Sequence, residues 1–351
     1  MKKRTSDAGR GLAEIGEFGL IERLRRLVGP ASDERLIVGI GDDAAVWRTD
    51  DRALIATTDT MVAGVHFLPG VVPWKAVGWK ALAANISDIA AMGGHPSFAL
   101  VTLCVPPSAD VREIEDVYRG MRSLAKIYGV TVAGGDIVRA RQFAITIALM
   151  GEASVDSDGQ PRLLRRDRAR PGDAIVVTGP LGGSAGGLEV LRGRAKRLGR
   201  RVARQLEVRH LRPWPRMDAG EAAVEAGIEC GIDISDGLLQ DLGHVCRASG
   251  VDADIHLSTL PVEPGLIDAF GEQRAREMAL TGGEDYELLL TGRDRLDLMH
   301  VSLLRRLGGV ESMWQVGRMT GAGTGRVRVI GADGRPLRVG TGGWDHLRRL
   351  R

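Results

Sequence analysis

Aspartates recur where apolar runs break off, and the chemistry of this chain is to be sought there. Leu36–Ile40 runs into Gly41-Asp42-Asp43, and Ala53–Thr58 runs into Asp59. Val130–Ala133 leads to Gly134-Gly135-Asp136, Ile232 is followed by Asp233-Ile234-Ser235-Asp236, and Asp88 interrupts an apolar helical stretch. Few of them have Lys or Arg within two residues, so gathered into one cleft they would repel unless cations sat between them. Hard oxygen donors without clustered Cys or His favour Mg²⁺ over zinc. Mg²⁺ normally takes one or two carboxylates and fills its shell with water and phosphate oxygens, so the set implies several ions and a polyphosphate. Any one of these aspartates could equally cap a helix or sit in a turn. The set as a whole points to metal chemistry.

Two glycine-rich segments, Gly134-Gly135-Asp136 and Thr178-Gly179-Pro180-Leu181-Gly182-Gly183-Ser184, read as loops after strands that could offer backbone N–H groups to phosphate or simply turn the chain. Neither has Walker A or Rossmann spacing. His66, in Gly64-Val65-His66-Phe67, falls just beyond the Asp59 strand, at the rim of the acidic site. His95, His210, His244, His256, His300 and His346 read as surface or packing residues. The histidines form no triad or ligand set, which argues against hydrolysis through a serine or cysteine nucleophile.

The elements that must position these residues alternate between strand and helix in both halves. Amphipathic or apolar helices are expected over Leu20–Val28, Trp74–Met92 and Ala109–Tyr128, and strands over Phe98–Val105, Phe143–Met150, Ala174–Val177 and Ala253–Leu257. Ala332-Asp333-Gly334 reads as a hairpin turn between Arg326–Ile330 and Leu337–Val339. The polar stretch Ser154–Gly172 marks a boundary. The fold class is therefore α/β, two α/β domains, over 15–152 and 153–351, preceded by a loose polar arm at 1–14.

At 351 residues and 44% apolar, the chain can build a full core without disulfides or a metal staple. Its apolar runs fall far short of the ~20 residues that span a bilayer, so no membrane partner is expected. Net charge is only +3, and the arginines between Arg192 and Arg216 read as a solvated helix face, so no nucleic-acid partner is expected either. Three scattered cysteines and a basic start with no apolar segment behind it suit a reducing, cytoplasmic setting.

Taken together these motifs resemble the thiamine-monophosphate kinase family, part of the ATP-binding superfamily that includes aminoimidazole ribonucleotide synthetase and selenophosphate synthetase. The resembling stretches begin with Gly16-Glu17-Phe18, Gly39–Ala45 and Thr57–Phe67, and continue through Lys80–Gly93 and Gly134-Gly135-Asp136. In the second half they are His210-Leu211-Arg212-Pro213, Asp233–Leu238, Gly282–Glu287 and Trp344-Asp345-His346, in family order over nearly the whole chain. The resemblance implies transfer of the ATP γ-phosphoryl group to thiamine monophosphate, giving thiamine diphosphate, with several Mg²⁺ ions. It implies metal ligands at Asp43, Thr57, Thr58, Asp59, Asp88, Asp136, Asp233 and Asp236. ATP contacts would fall to Tyr118, Gly135, Asp136, Arg166 and Ser235, and substrate contacts to His66, Glu284 and Trp344. Trp344 stands where the family often has Tyr or Phe, and still offers a ring face to a cationic heteroaromatic ligand.

The resemblance also implies a homodimer in which the N-terminal domain, carrying ATP and Mg²⁺ sites, pairs its mixed sheet across a two-fold axis, while the C-terminal domain completes the nucleotide and substrate site. A phosphate acceptor, largely dianionic at neutral pH, needs no general base, and none is expected. Direct in-line transfer without a phosphoenzyme follows. Rival expectations are an aminoimidazole ribonucleotide synthetase-like ligase and a non-catalytic nucleotide-binding homologue. The first is disfavoured by the Gly64–Phe67 and Trp344–His346 matches, the second by intact acids at every metal position.

Overall fold

Two sheets, each with helices against it, carry the chain. The computed structural model describes residues 19–22, 26, 33–49, 52–195, 198–293, 296–297, 299–300 and 313–337. The first sheet contains β1 (Leu36–Val38), β2 (Ala45–Arg48), β3 (Ala53–Val62), β4 (Gly94–Val105), β5 (Thr131–Arg139) and β6 (Ala144–Ala153) in the order β1-β2-β3-β6-β4-β5. Only β4 and β5 run parallel in it. The second contains β7 (Ala174–Val177), β8 (Cys230–Asp233), β9 (Val251–His256), β10 (Leu288–Gly292), β11 (Trp314–Ala322), β12 (Val327–Ile330) and β13 (Pro336–Leu337), in the order β13-β12-β9-β11-β7-β10-β8. The two sheets bear out the α/β reading, and β12 and β13 form the hairpin expected around Asp333.

The first sheet has one covered and one open face. Ile55, Val101, Leu103, Ile145, Ile147 and Leu149 alternate inward, as period-2 patterning requires, and are buried. They pack on α1 (Trp74–Ala91), which is buried nearly all round and rich in alanine. That helix touches β3, β4 and β6 on one side and β8 on the other, so a single element lies between both sheets. Crossing it is α2 (Val111–Tyr128), which starts in an Asp110–Glu113 capping box and stops at Gly129 in the left-handed conformation. The two helices meet at glycines: a Cβ on Gly78 would collide with the Val117 carbonyl oxygen, and one on Gly120 with that of Lys75.

Two sequence expectations change. Asp59 does not end its strand, because β3 continues pairing with β6 as far as Val62↔Ala144, which leaves Asp59 in mid-strand. Gly134-Gly135-Asp136 is not a loop, because β5 runs through it in parallel register with β4. A Cβ on Gly135 would strike the Val101 carbonyl oxygen, so glycine there serves close strand approach. The arm at 1–14 and most of the Leu20–Val28 helix lie outside the described residues.

Gly78→Val should overpack the helix crossing and lower stability by ~2–3 kcal/mol. In a urea titration the midpoint should fall with the slope unchanged, and an unmoved midpoint would contradict the close contact.

Candidate active site

The carboxylates of Asp43, Asp88 and Asp233 converge from three elements, with one oxygen of each lying within 4.8 Å of the others. Asp43 follows β1 in the turn before β2, Asp88 projects from the last turns of α1, and Asp233 ends β8. Short hydrogen bonds fix them. Thr57 Oγ1 donates to Asp88 Oδ2 at 2.6 Å, and Ser87 Oγ donates to Asp233 Oδ2 at 2.7 Å. Ser235 Oγ donates to Asp233 Oδ1 at 3.2 Å. Arg166, on a 3₁₀ turn (Arg166–Arg168) leading to β7, faces the group with its guanidinium forked onto Asp43 at 2.6 and 3.1 Å. Its backbone N–H donates to Asp42 Oδ2 at 3.2 Å.

The group is electrostatically crowded. Burial, and after it the neighbouring Asp43, pushes Asp42 up to about 7. The same two causes push Asp233 up to about 8. Asp88 is held well above the usual carboxylate range by burial and then by Asp59, Asp233 and Asp43. An all-oxygen donor set this dense and this poorly neutralised suits a hard divalent cation.

The other expected residues divide. Asp59 acts electrostatically on both Asp88 and Asp233, so it belongs with the group. Thr58 does not share its face: Thr57, Asp59 and Met61 of β3 point toward the core, while Thr58 and Thr60 point to the open face. Asp136 is also on the open face and exposed, in one cross-sheet row with Thr60, Thr146 and Thr102. Three strand spacings, ~14 Å, separate that position from β3. Gly135 shares that strand. Tyr118 adjoins Val117, which touches Gly78, and Asp88 lies ten residues, ~15 Å, farther along α1. Asp236 falls in a second group with Asp241 and His244, where Asp241 accepts the N–H groups of Asp236 and Gly237 at 3.1 and 3.0 Å. Trp344 lies outside the described residues.

Glu284 acts electrostatically on Tyr286 together with Asp59, Asp233 and Asp88. The Val62 N–H donates to His66 Nδ1 at 3.0 Å, and His66 is among the groups that act on Glu284. Glu284 has φ +65° and Tyr286 φ +53°, both uncommon for side-chain-bearing residues. Their N–H groups bind the Ser235 and Ile234 carbonyls at 2.7 and 2.9 Å, which staples this loop to the one carrying Asp233.

The Thr178–Ser184 loop is not free to cradle phosphate. Asp285 takes the Gly182 and Ser184 N–H groups at 2.6 and 3.0 Å, at the start of α3 (Gly183–Leu191). Sequence reasoning also missed Arg166 as counter-charge to Asp43, and the buried ion pair of Lys80 with Glu284. One signal for the pair was available, since Lys80 is among only a handful of lysines and sits inside an apolar helix.

Comparison with known proteins defines the class first. Residues 41–153 match the AIR synthase related protein, N-terminal domain, and residues 170–330 the corresponding C-terminal domain. Thiamine-monophosphate kinase of Escherichia coli K12 is 37% identical over 338 residues, covering 95% of this chain and 98% of that protein. The Aquifex aeolicus thiamine-monophosphate kinase is 37% identical over 283 residues, 80% of this chain and 87% of that one. A solved structure of AaThiL complexed with AMPPCP and TMP superposes with TM-score 0.80 at 34% identity, covering 97% of this chain and all of the other. The chain belongs to the thiamine-monophosphate kinase family.

Because Asp42 and Asp233 bind protons more tightly folded than unfolded, the metal-free protein should lose stability as pH rises from ~4 to ~8. Mg²⁺ should replace those protons, so its stabilising effect in calorimetry should be larger at ~pH 8 than at ~pH 5. A Mg²⁺-induced Tm shift independent of pH would contradict the assignment.

Proposed function

We propose that this protein transfers the γ-phosphoryl group of ATP to thiamine monophosphate, giving thiamine diphosphate and ADP. The observation that carries the reading is the acid group of Asp43, Asp88 and Asp233 beside His66 and Glu284, in a chain aligned almost end to end with thiamine-monophosphate kinases. The acceptor is itself a phosphate with a second pKa of ~6, so it attacks without a general base. The task is to bring two anionic phosphates into line and cancel their charge.

In this reading Asp43, Thr57, Asp59, Asp88 and Asp233 hold Mg²⁺, with Thr58, Asp136 and Asp236 completing the set. Bound Mg²⁺ would supply charge neutralisation and alignment of the phosphates. Tyr118, Gly135, Asp136, Arg166 and Ser235 contact the nucleotide. His66, Glu284 and Trp344 hold the thiamine end, the carboxylate of Glu284 suiting a cationic ring. The organisation is that of an N-terminal domain over 15–152 and a C-terminal one over 153–351, in a reducing cytoplasm where Cys104, Cys230 and Cys246 remain free thiols, as they are here. No helix among the described residues is long and apolar enough to cross a membrane, and neither membrane nor nucleic acid enters the reading.

The reading includes a homodimer. Phe98, Leu100 and Val138 are 52%, 43% and 40% exposed on β4 and β5, apolar side chains that a second copy of the sheet would cover. Asp136, on the open face and far from Asp59 in its own protomer, would then serve the site of the other, as Asp136 of the partner subunit.

Chromatography of protein incubated with ATP, Mg²⁺ and thiamine monophosphate should show thiamine diphosphate and ADP in equal amounts, with Asp59→Asn cutting the rate ~100-fold or more. Absence of thiamine diphosphate from folded, ATP-binding protein would overturn the reading. Asp59→Asn and Asp136→Asn protomers, each inactive alone, should regain about a quarter of wild-type activity when refolded together, because half of the dimers are mixed and each of these has one intact site of two. No recovery would place Asp136 in the same protomer's site.

A further inference from the structure

Behind Glu284 lies a buried polar chain that the transfer chemistry itself does not use. Lys80 Nζ sits 2.7 Å from Glu284 Oε2, with the lysine side chain only 4% exposed and the glutamate 29% exposed. His210, buried on α4 (Arg200–Leu211), packs against both: its Nε2 is 3.5 Å from Lys80 Nζ, and its Nδ1 is 3.0 Å from Ser184 Oγ and 3.6 Å from Glu284 Oε2. An ammonium can only donate, so His210 Nε2 accepts from Lys80 and its proton sits on Nδ1, toward Ser184. Burial, and then Lys80, pushes His210 down to about 3, which keeps the ring neutral.

The placement of Lys80 along α1 gives the chain its meaning. Lys80 and Ser87 are seven residues apart, nearly two full turns, and so lie on one face of the helix. Ser87 holds Asp233 in the acid group and Lys80 holds Glu284, with ~10 Å of helix between them. One rigid, buried element thus sets the separation between the carboxylate that meets the substrate's cationic end and the carboxylates that manage its phosphate.

We propose that Lys80 is the positioning residue for the thiamine end of the substrate, holding Glu284 charged and at a fixed distance from the acid group, with neutral His210 as its second acceptor. This rests on the reading of Glu284 as a substrate contact. Burial alone would drive the Glu284 carboxyl toward its neutral form, but Lys80 above all, through its charge and its hydrogen bond, outweighs it and keeps it below the usual range. The left-handed backbone at Glu284 points the same way. Such strain persists where the surroundings over-determine a conformation, here through the Lys80 pair and the N–H bond to Ser235.

The test uses steady-state kinetics with each substrate varied in turn, on Lys80→Met, Glu284→Gln and the double variant. Lys80→Met should raise KM for thiamine monophosphate roughly tenfold or more, while KM for ATP and kcat move less than ~3-fold. A Lys80→Met effect that falls on kcat, or equally on both KM values, would overturn the proposal, since a purely structural lysine acts that way. A melting curve shows whether Lys80→Met folds, and the double variant, which leaves neither charge unpaired, carries the test if the single one fails to fold. Added to Glu284→Gln, Lys80→Met should then leave KM for thiamine monophosphate unchanged. A further severalfold rise would mean that Lys80 acts on substrate by a route other than Glu284. Wild-type protein that forms no thiamine diphosphate would instead remove the underlying reading of the site.

Discussion

Mutual repulsion among buried carboxylates is the constraint around which the molecule is arranged. Asp43, Asp88 and Asp233 come from a turn, a helix and a strand end that are far apart in sequence, and nothing in their own chemistry draws them together. What holds them is the packing of α1 between two sheets, a large apolar burial that overrides a local electrostatic penalty. The Thr57, Ser87 and Ser235 hydroxyls and the Arg166 fork offset part of that penalty. The remainder is unneutralised negative charge, which suits a divalent cation.

Much of this was legible in the sequence, for identifiable reasons. Inward-facing alternation in Ile145, Ile147 and Leu149 and the alanine-rich run of α1 are local patterns, so strand and helix show through directly. Aspartates ending apolar runs were visible as a set. What could not be read was face and reach. Thr58 and Asp59 are neighbours in sequence, and only the pleat puts one on the open side of the sheet and the other among the acids. Gly134-Gly135-Asp136 has loop-like composition, yet its glycines allow close approach to β4, a tertiary fact with no local signature. The Thr178–Ser184 segment was plausible for phosphate until Asp285, more than a hundred residues away, took its N–H groups.

The two sides of the site are built to different standards of solvation. Around Asp233 the carboxylate oxygens are supported by hydroxyls that can reorient, an arrangement that would tolerate exchange between protons and cations. Around Glu284 the support is a buried ammonium, which also donates to a neutral imidazole that Ser184 holds in place. The first arrangement suits charges that arrive and leave during turnover, the second a contact that must be the same in every cycle.

The stretch Gly282–Glu287 has a further consequence, in how this chain tolerates change. Glu284 pairs with Lys80 of α1, Asp285 caps α3, and Glu287 pairs with Arg216 and accepts from Thr178. Nearly every residue there is committed to a different body of the molecule, with backbone bonds to Ile234 and Ser235 in between. Inserting or deleting one residue would take all three acids off their partners at once, whereas a conservative exchange disturbs only one of them. Along this hexapeptide, length is under tighter constraint than composition, and natural insertions are to be sought elsewhere on the surface.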